Sequence, residues 1–145
     1  MRGIIIFDLE GTLVDIGGRA FSNVFIREST LVNLAKKYEL AIVTGASREQ
    51  LEYVLENTFL SNYFSLENTV TKDETSEHKK TGKPFRYLLE RKPSQKSVIL
   101  GDSAGDRLGS EMLNVPFVQI STLQMLNNPN LMDRYVQEAI LKLER

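Results

Sequence analysis

Two acidic residues directly follow a short apolar run near the start of the chain. Asp8 and Glu10 come after the segment GIIIF at residues 3–7, and Gly11 and Thr12 follow them. A buried strand that ends in two carboxylates is unfavourable unless a cation offsets the negative charge. This stretch therefore indicates a site for a positively charged group.

Polar residues also follow two later apolar runs. Thr44 and Gly45 come after the second run, and Asp102 and Asp106 come after the third. In open α/β sheets, ligands bind beyond the carboxyl ends of the strands. Lys83 precedes the third run and stands beside a proline that is typical of a helix start, so we expect it near the same edge.

Three carboxylates, from Asp8, Asp102 and Asp106, are thus predicted to share one crevice. Their mutual repulsion is severe without a cation, and Mg²⁺ takes oxygen ligands of this kind. The alternative is that such acids cap turns and helices, as Asp102 or Ser103 could do for the helix that follows. The set as a whole favours a magnesium site.

The elements that position these residues alternate between strand and helix. Short Ile- and Val-rich runs are typical of strands buried on both faces of a parallel sheet. Four strands and a weaker fifth are predicted at residues 3–7, 40–43, 97–100, 115–120 and 66–71. Helices are predicted at residues 29–38, 47–57, 84–91, 104–113 and 130–144, and Ser47 and Gln50 predict a capping box at the start of the second. This order predicts an α/β fold: a doubly wound, mostly parallel five-stranded sheet with helices on both faces.

Length and composition are those of an ordinary globular protein. A chain of 145 residues fits one domain, which we expect to span residues 1–145. The formal net charge of −1 argues against nucleic-acid binding, and the absence of cysteine excludes disulfides and thiolate sites. No run approaches the roughly 20 apolar residues of a membrane span. We therefore expect a cytoplasmic protein without a membrane partner.

Taken in order, the four strand-end motifs resemble those of the haloacid dehalogenase superfamily, whose members are mostly Mg²⁺-dependent phosphatases. The resemblance runs from Ile4 to about Ile120. It implies Mg²⁺ as the cofactor, with Asp8 and Asp102 as direct ligands and Glu10 contributing its backbone carbonyl. It also implies that Asp106 ligates the metal or holds a metal-bound water.

The resemblance also assigns catalytic roles. Asp8 is expected to be the nucleophile that forms an aspartyl-phosphate, and Glu10 the general acid and base. The superfamily usually has Asp in place of Glu10, so the longer side chain is a departure. Thr44, Gly45 and Lys83 are expected to bind the phosphate, with Lys83 also balancing the charge of Asp8. Alone, Thr44 could be a strand-end hydroxyl and Lys83 a solvated lysine.

The short spacings between motifs leave no room for a cap domain. The chain therefore resembles capless members, with a small flap expected near Arg19 and an open site. The expected partner is a phosphorylated substrate, either a small molecule or a macromolecule, and a homo-oligomer could cover the site. Three alternatives to a phosphatase stay open: a phosphotransferase with the same intermediate, a non-catalytic phospho-acceptor, and a phosphate-binding protein without turnover.

Overall fold

The computed structural model describes residues 3–15, 24–93 and 95–145, and its centre is a five-stranded parallel sheet. The spatial order of the strands is β3-β2-β1-β4-β5. The predicted fold class is confirmed, although the weak fifth strand, β3, has only two residues. The strands are β1 (Ile4–Phe7), β2 (Glu39–Val43), β3 (Thr69–Val70), β4 (Ser97–Gly101) and β5 (Phe117–Gln119).

Six α-helices connect or flank these strands in the described residues. The predicted capping box at the start of α2 is present, with Ser47 as N-cap and Gln50 as its partner. The sequence pattern did not predict α5, because this six-residue helix buries a single side chain, Met125. The helices are α1 (Glu28–Ala35), α2 (Arg48–Glu56), α3 (Lys83–Leu89), α4 (Ala104–Leu113), α5 (Thr122–Asn127) and α6 (Leu131–Leu143).

The side chains of β1 are buried on both faces of the sheet. Ile5 and Phe7 belong to one apolar cluster, with residues of α1, α2, α5 and α6. Ile4 and Ile6 belong to a second cluster, with residues of α3 and α4. Alternate side chains of a strand point to opposite faces, so the helices cover the sheet from both sides. This arrangement explains the continuous apolar run of β1.

The order in which strands are added to the sheet reverses at β1, which pairs with β2 on one side and with β4 on the other. Phe7 lies opposite Ile42 in β2 and Leu100 in β4, so these three strands end at the same edge. The backbone N–H of Asp8 donates to the Leu100 carbonyl over 3.0 Å. Ligand sites in open α/β sheets lie at such a switch point.

No separate cap domain is formed by the part of the chain that the structure describes. The predicted flap near Arg19 lies outside the described residues. Among the described helices, none combines the length and the apolar character that crossing a membrane requires.

Candidate active site

Three aspartates meet at the switch point, as the sequence predicts. Asp8 follows β1, Asp102 follows β4, and Asp106 lies in the first turn of α4. One carboxylate oxygen from each lies within 4.8 Å of the others. Asp106 is fully buried and Asp8 is 7% exposed, so both carboxylates are largely removed from water.

The turn after β1 allows the carboxyl ends of β1 and β4 to approach closely. Gly11 has φ +79°, a left-handed conformation that strongly favours glycine. A Cβ atom at Gly11 would also lie within 2.9 Å of the Asp102 carboxyl carbon. The turn is closed by hydrogen bonds from the backbone N–H groups of Leu13 and Val14 to the Leu9 carbonyl. Glycine at position 11 is thus required both by the backbone and by the neighbouring carboxylate.

Asp106 serves the helix and the cluster at once. Its Oδ2 atom accepts hydrogen bonds from the Ser103 hydroxyl at 2.7 Å and from the Ser103 backbone N–H at 3.3 Å. Its own backbone N–H donates to the Ser103 hydroxyl oxygen, which completes a capping box at the start of α4. Its Oδ1 atom lies 2.6 Å from Nζ of Lys79. Asp106 can therefore cap α4 and take part in the aspartate cluster at the same time.

The lysine that contacts the cluster is Lys79, whereas Lys83, which the sequence predicts to balance the charge of Asp8 and to bind the phosphate, pairs with another residue. Nζ of Lys79 lies 2.8 Å from Oδ1 of Asp8 as well as beside Asp106, and its side chain is 11% exposed. The side chain of Lys83 is 57% exposed and its Nζ lies 3.3 Å from Glu77. Lys83 begins α3, whose buried side chains face the core, and this orientation leaves the lysine in solvent.

Lys79 reaches the aspartates because its loop packs closely on α4. The loop forms a short 3-10 turn at Lys79–Thr81. The carbonyl of Lys79 lies against Gly109, where a Cβ atom would also come within 2.6 Å of the Phe85 ring. The ring of His78 lies over Gly105 in the same way, 2.7 Å from the position of a Cβ atom. The two glycines, four residues apart on one face of α4, are the sequence signal for this docking.

The other end of this loop is tied to the residues that follow β2. The backbone N–H of Lys72 donates to the Ala46 carbonyl over 3.0 Å. The Glu74 carboxylate accepts from the Thr71 backbone N–H at 2.9 Å and from the Arg48 guanidinium. Burial raises the pKa of Glu74, but these hydrogen bonds outweigh it and hold the pKa below its ordinary value. The polar stretch at residues 71–83 is therefore an anchored loop that supplies a site residue.

Burial dominates the electrostatics of the cluster. It raises the pKa of Asp8 well above its ordinary value; the nearby Asp106 and Asp102 raise it further, and Lys79 opposes them. Burial lowers the pKa of Lys79, but the carboxylates of Asp8 and Asp106 outweigh it, so the pKa of the lysine is raised. Lys79 therefore stays protonated, while the charge on Asp8 is only partly compensated.

This donor set fits a divalent cation. One ammonium group and three carboxyl groups share this site, so a second cation is needed to offset the negative charge whenever all three carboxylates are ionised. All three candidate ligands offer carboxylate oxygen. Mg²⁺ prefers oxygen donors of this kind, whereas softer metals prefer sulfur or nitrogen donors. Asp8, Asp102 and Asp106 are therefore the residues that could hold the metal.

Thr44 lies at the same edge of the sheet, at the end of β2. Its hydroxyl oxygen accepts a hydrogen bond from the Ala46 backbone N–H at 3.1 Å, which leaves the hydroxyl proton free to be donated to a ligand. A Cβ atom at Gly45 would meet nothing within 4 Å, so the backbone there is open. This turn has the groups needed to hold an anionic oxygen.

A cleft of about 230 Å³ opens beside Thr44, Gly45 and Lys79. The loop that carries Lys79 forms most of its remaining wall, with Pro84 from α3. These side chains are mainly hydroxyl-bearing or charged: Thr71, Lys72, Thr75, Ser76, Glu77 and His78. The cleft can therefore take a small polar group next to the cluster.

Glu10 is exposed on the turn, two residues after Asp8, and its carboxylate is not part of the aspartate cluster. Its main chain is held where β1 ends, by a bridge to Val14 and by the hydrogen bond from the Gly11 N–H to the Val14 carbonyl at 2.8 Å. The side chain is accessible to a substrate that approaches from solvent.

A family model for haloacid dehalogenase-like hydrolases matches residues 26–120, which is more than half of the chain. This segment includes Thr44, Lys79, Asp102 and Asp106, and Asp8 precedes it. No curated protein sequence matched the chain.

Solved structures share the fold over most of the chain. A hydrolase of the HAD superfamily, subfamily IA, variant 1, from Geobacter sulfurreducens PCA aligns with a TM-score of 0.65 at 20% identity, covering 81% of this chain and 86% of that one. A candidate phosphoglycolate phosphatase from Lactobacillus plantarum aligns with a TM-score of 0.64 at 17% identity, covering 89% and 90%. A HAD-superfamily hydrolase from Ehrlichia chaffeensis aligns with a TM-score of 0.59 at 14% identity, covering 94% and 99%.

Proposed function

Because the chain belongs to the haloacid dehalogenase-like hydrolase family, we propose that it is a Mg²⁺-dependent phosphohydrolase that cleaves phosphomonoesters through an aspartyl-phosphate. The observation that carries this proposal is the buried contact of Lys79 with Asp8 and Asp106, beside Asp102 at the switch point. A nucleophilic carboxylate next to a fixed cation suits phosphoryl transfer, which depends mainly on positioning and on charge neutralisation.

The metal would be held by Asp8 and Asp102, with the backbone carbonyl of Glu10 and with Asp106 acting directly or through water. When bound, the metal would supply positive charge that offsets the carboxylates and the phosphoryl oxygens. Lys79 would offset part of the remaining negative charge, since its Nζ already contacts Asp8 and Asp106.

In the first step an oxygen of Asp8 attacks phosphorus. A bond forms between this oxygen and phosphorus, the bond from phosphorus to the leaving oxygen breaks, and Glu10 gives its proton to that oxygen. In the second step Glu10 takes a proton from water, whose oxygen attacks phosphorus. The bond between Asp8 and phosphorus breaks, phosphate leaves, and both carboxyl groups return to their initial state.

Thr44, Gly45 and Lys79 would bind the phosphoryl oxygens. The Thr44 hydroxyl can donate its proton because its oxygen accepts from the Ala46 N–H. The cleft beside these residues would take part of the group that carries the phosphate. Its volume of about 230 Å³ favours a small substituent at this position.

The proposal is tested by measuring phosphate release from a panel of phosphomonoesters, with and without Mg²⁺, for the wild type and for Asp8→Asn. We expect Mg²⁺-dependent turnover that is lost in the variant. The panel should pair small esters with bulky ones, because the cleft favours the former. A folded wild type that binds Mg²⁺ and beryllofluoride but releases no phosphate would overturn the hydrolase and favour a phospho-acceptor, a phosphotransferase without its acceptor, or a binding protein.

A further inference from the structure

We propose that Thr122 is a positioning residue that holds the turn after β1 and Asp102 in the register needed for the magnesium site. Thr122 is the first residue of α5, beyond the last strand, and none of the four strand-end motifs includes it. Its hydroxyl lies 2.6 Å from the Gly11 carbonyl oxygen and 3.4 Å from Oδ2 of Asp102. The inference rests on the proposed metal site and adds a residue that neither catalyses nor ligates.

A threonine hydroxyl has one proton, so the two distances decide where it goes. The shorter contact assigns it to the Gly11 carbonyl, and the Asp102 carboxylate then faces the hydroxyl oxygen. Thr122 thus fixes the turn by a hydrogen bond and limits the position of Asp102 by contact.

The turn needs this support because its central residue is glycine, which has more backbone freedom than any other residue. The peptide before Gly11 is held by its own N–H, which donates to Val14 over 2.8 Å. The peptide after Gly11 is held by Thr122. Together these bonds fix the direction of the Glu10 carbonyl, a proposed metal ligand, and the backbone that carries the Glu10 side chain.

Two further observations show that the segment around Thr122 is tied to the site. A Cβ atom at Gly11 would lie within 3.0 Å of the Thr122 hydroxyl and 2.9 Å of the Asp102 carboxyl carbon, so the three residues converge on one point. The Gln119 side-chain amide also donates to the Asp102 backbone carbonyl over 3.1 Å. The segment from the end of β5 to the start of α5 therefore contacts Asp102 at both its backbone and its carboxylate.

The test is the affinity of the apo protein for Mg²⁺ alone, measured by isothermal titration calorimetry on wild type, Thr122→Val and Thr122→Ser. Partners that orient metal ligands typically change metal affinity by about 10- to 100-fold when removed. We expect Thr122→Val to bind Mg²⁺ at least about 10-fold more weakly, and Thr122→Ser, which keeps the hydroxyl, to stay within about 3-fold of wild type. Thr122→Ala provides a second variant if the valine protein does not fold.

The matched control is Thr30→Val, which removes a hydroxyl that donates to Asp133 over 2.8 Å between α1 and α6. This variant should leave Mg²⁺ affinity unchanged. Equal affinity in wild type and Thr122→Val, or no recovery in Thr122→Ser, overturns the role of Thr122. Failure of the wild type to bind Mg²⁺ at all would instead contradict the proposed metal site itself, so the two failures are distinguishable.

Discussion

Gly109 lies against the backbone carbonyl of Lys79, so the second turn of α4 and the loop that carries the lysine touch main chain to main chain. A Cβ atom at this position would come within 2.6 Å of the Phe85 ring and closer still to the Lys79 carbonyl. The contact brings Nζ of Lys79 to 2.8 Å from Asp8. A residue without a side chain thus sets the position of the only lysine that reaches the aspartates among the described residues.

Replacing Gly109 by alanine should impair catalysis more than folding. The added methyl group must push the Lys79 carbonyl outward, which moves the ammonium group from Asp8, while overpacking costs about 1–3 kcal/mol of unfolding free energy. Because small displacements of positioning groups cost about 10²-fold in rate, we expect kcat to fall by at least about 10-fold. Steady-state kinetics and urea unfolding separate the two effects.

The control is Arg107→Ala on the same helix, because the Arg107 side chain is 48% exposed and pairs with Glu111 on α4. This variant should keep kcat within about 2-fold, since it removes an exposed side chain and leaves the contact between Gly109 and the Lys79 loop in place. Equal rate losses in the two variants would show that α4 itself, and not the position of Lys79, had been disturbed.

Lys79→Met should reduce kcat by about 10²- to 10³-fold, the range that is typical for removing a group that stabilises transition-state charge. The matched variant Lys83→Met should stay within about 2-fold of wild type, because the Lys83 side chain is exposed and pairs with Glu77. Phosphate release under saturating substrate measures both. A larger loss of kcat in Lys83→Met than in Lys79→Met would instead assign the catalytic role to Lys83, the residue predicted from the sequence.

Glu10→Gln should slow hydrolysis of the aspartyl-phosphate more than its formation. The amide keeps the size of the side chain but cannot take a proton from water, and general acid–base catalysis contributes about 10²- to 10⁴-fold. Rapid quench of enzyme mixed with a substrate that has a good leaving group should show the phosphorylated protein accumulating. Equal slowing of both steps would argue against this division of roles.

The interaction between Glu74 and Arg48 should make stability depend on pH. The pKa of Glu74 is lower in the folded protein than its ordinary value of 4.5, so its ionised form stabilises the fold above pH 4.5 and this contribution is lost as the pH falls through the folded pKa. Glu74→Gln should therefore lower the unfolding free energy by about 1 kcal/mol near neutral pH and by much less at about pH 3.

Urea unfolding at the two pH values measures this difference in the absence of metal. In an Arg48→Met background the effect of Glu74→Gln at neutral pH should shrink, because the guanidinium that the carboxylate meets is gone. A difference that is the same at both pH values would mean that ionisation of Glu74 does not contribute.

The sequence predicts most of the fold because its signals are local and mutually consistent. The strand ends carry Asp8, Thr44 and Asp102, and parallel pairing must bring these ends to one edge. The start of α2 is readable from Ser47 and Gln50, whose capping box forms as predicted. Such elements depend on hydrophobic runs and caps within a few residues, which a single sequence contains in full.

The lysine and the threonine could not be found in this way. Lys79 and Lys83 lie in one polar stretch and have similar neighbours in the sequence. Which of the two reaches the aspartates depends on the contact between the Lys79 carbonyl and Gly109, a residue of α4 farther along the chain. Thr122 begins a short helix that buries one side chain, so the sequence has no periodic apolar pattern that would predict this helix. Both residues act through contacts between segments distant in sequence, and local patterns carry no record of such contacts.

The two contacts of the Asp106 carboxylate affect the choice of an inactive variant for capturing physiological substrates. One of its oxygens caps α4 and the other meets Lys79, so a substitution there loosens the helix start along with the chemistry. Asp8 accepts the Leu9 backbone N–H over 2.8 Å, a bond that an asparagine oxygen can also accept. Asp8→Asn is therefore the better bait for pull-down experiments, since it removes the nucleophile while leaving the scaffold around the ligand intact.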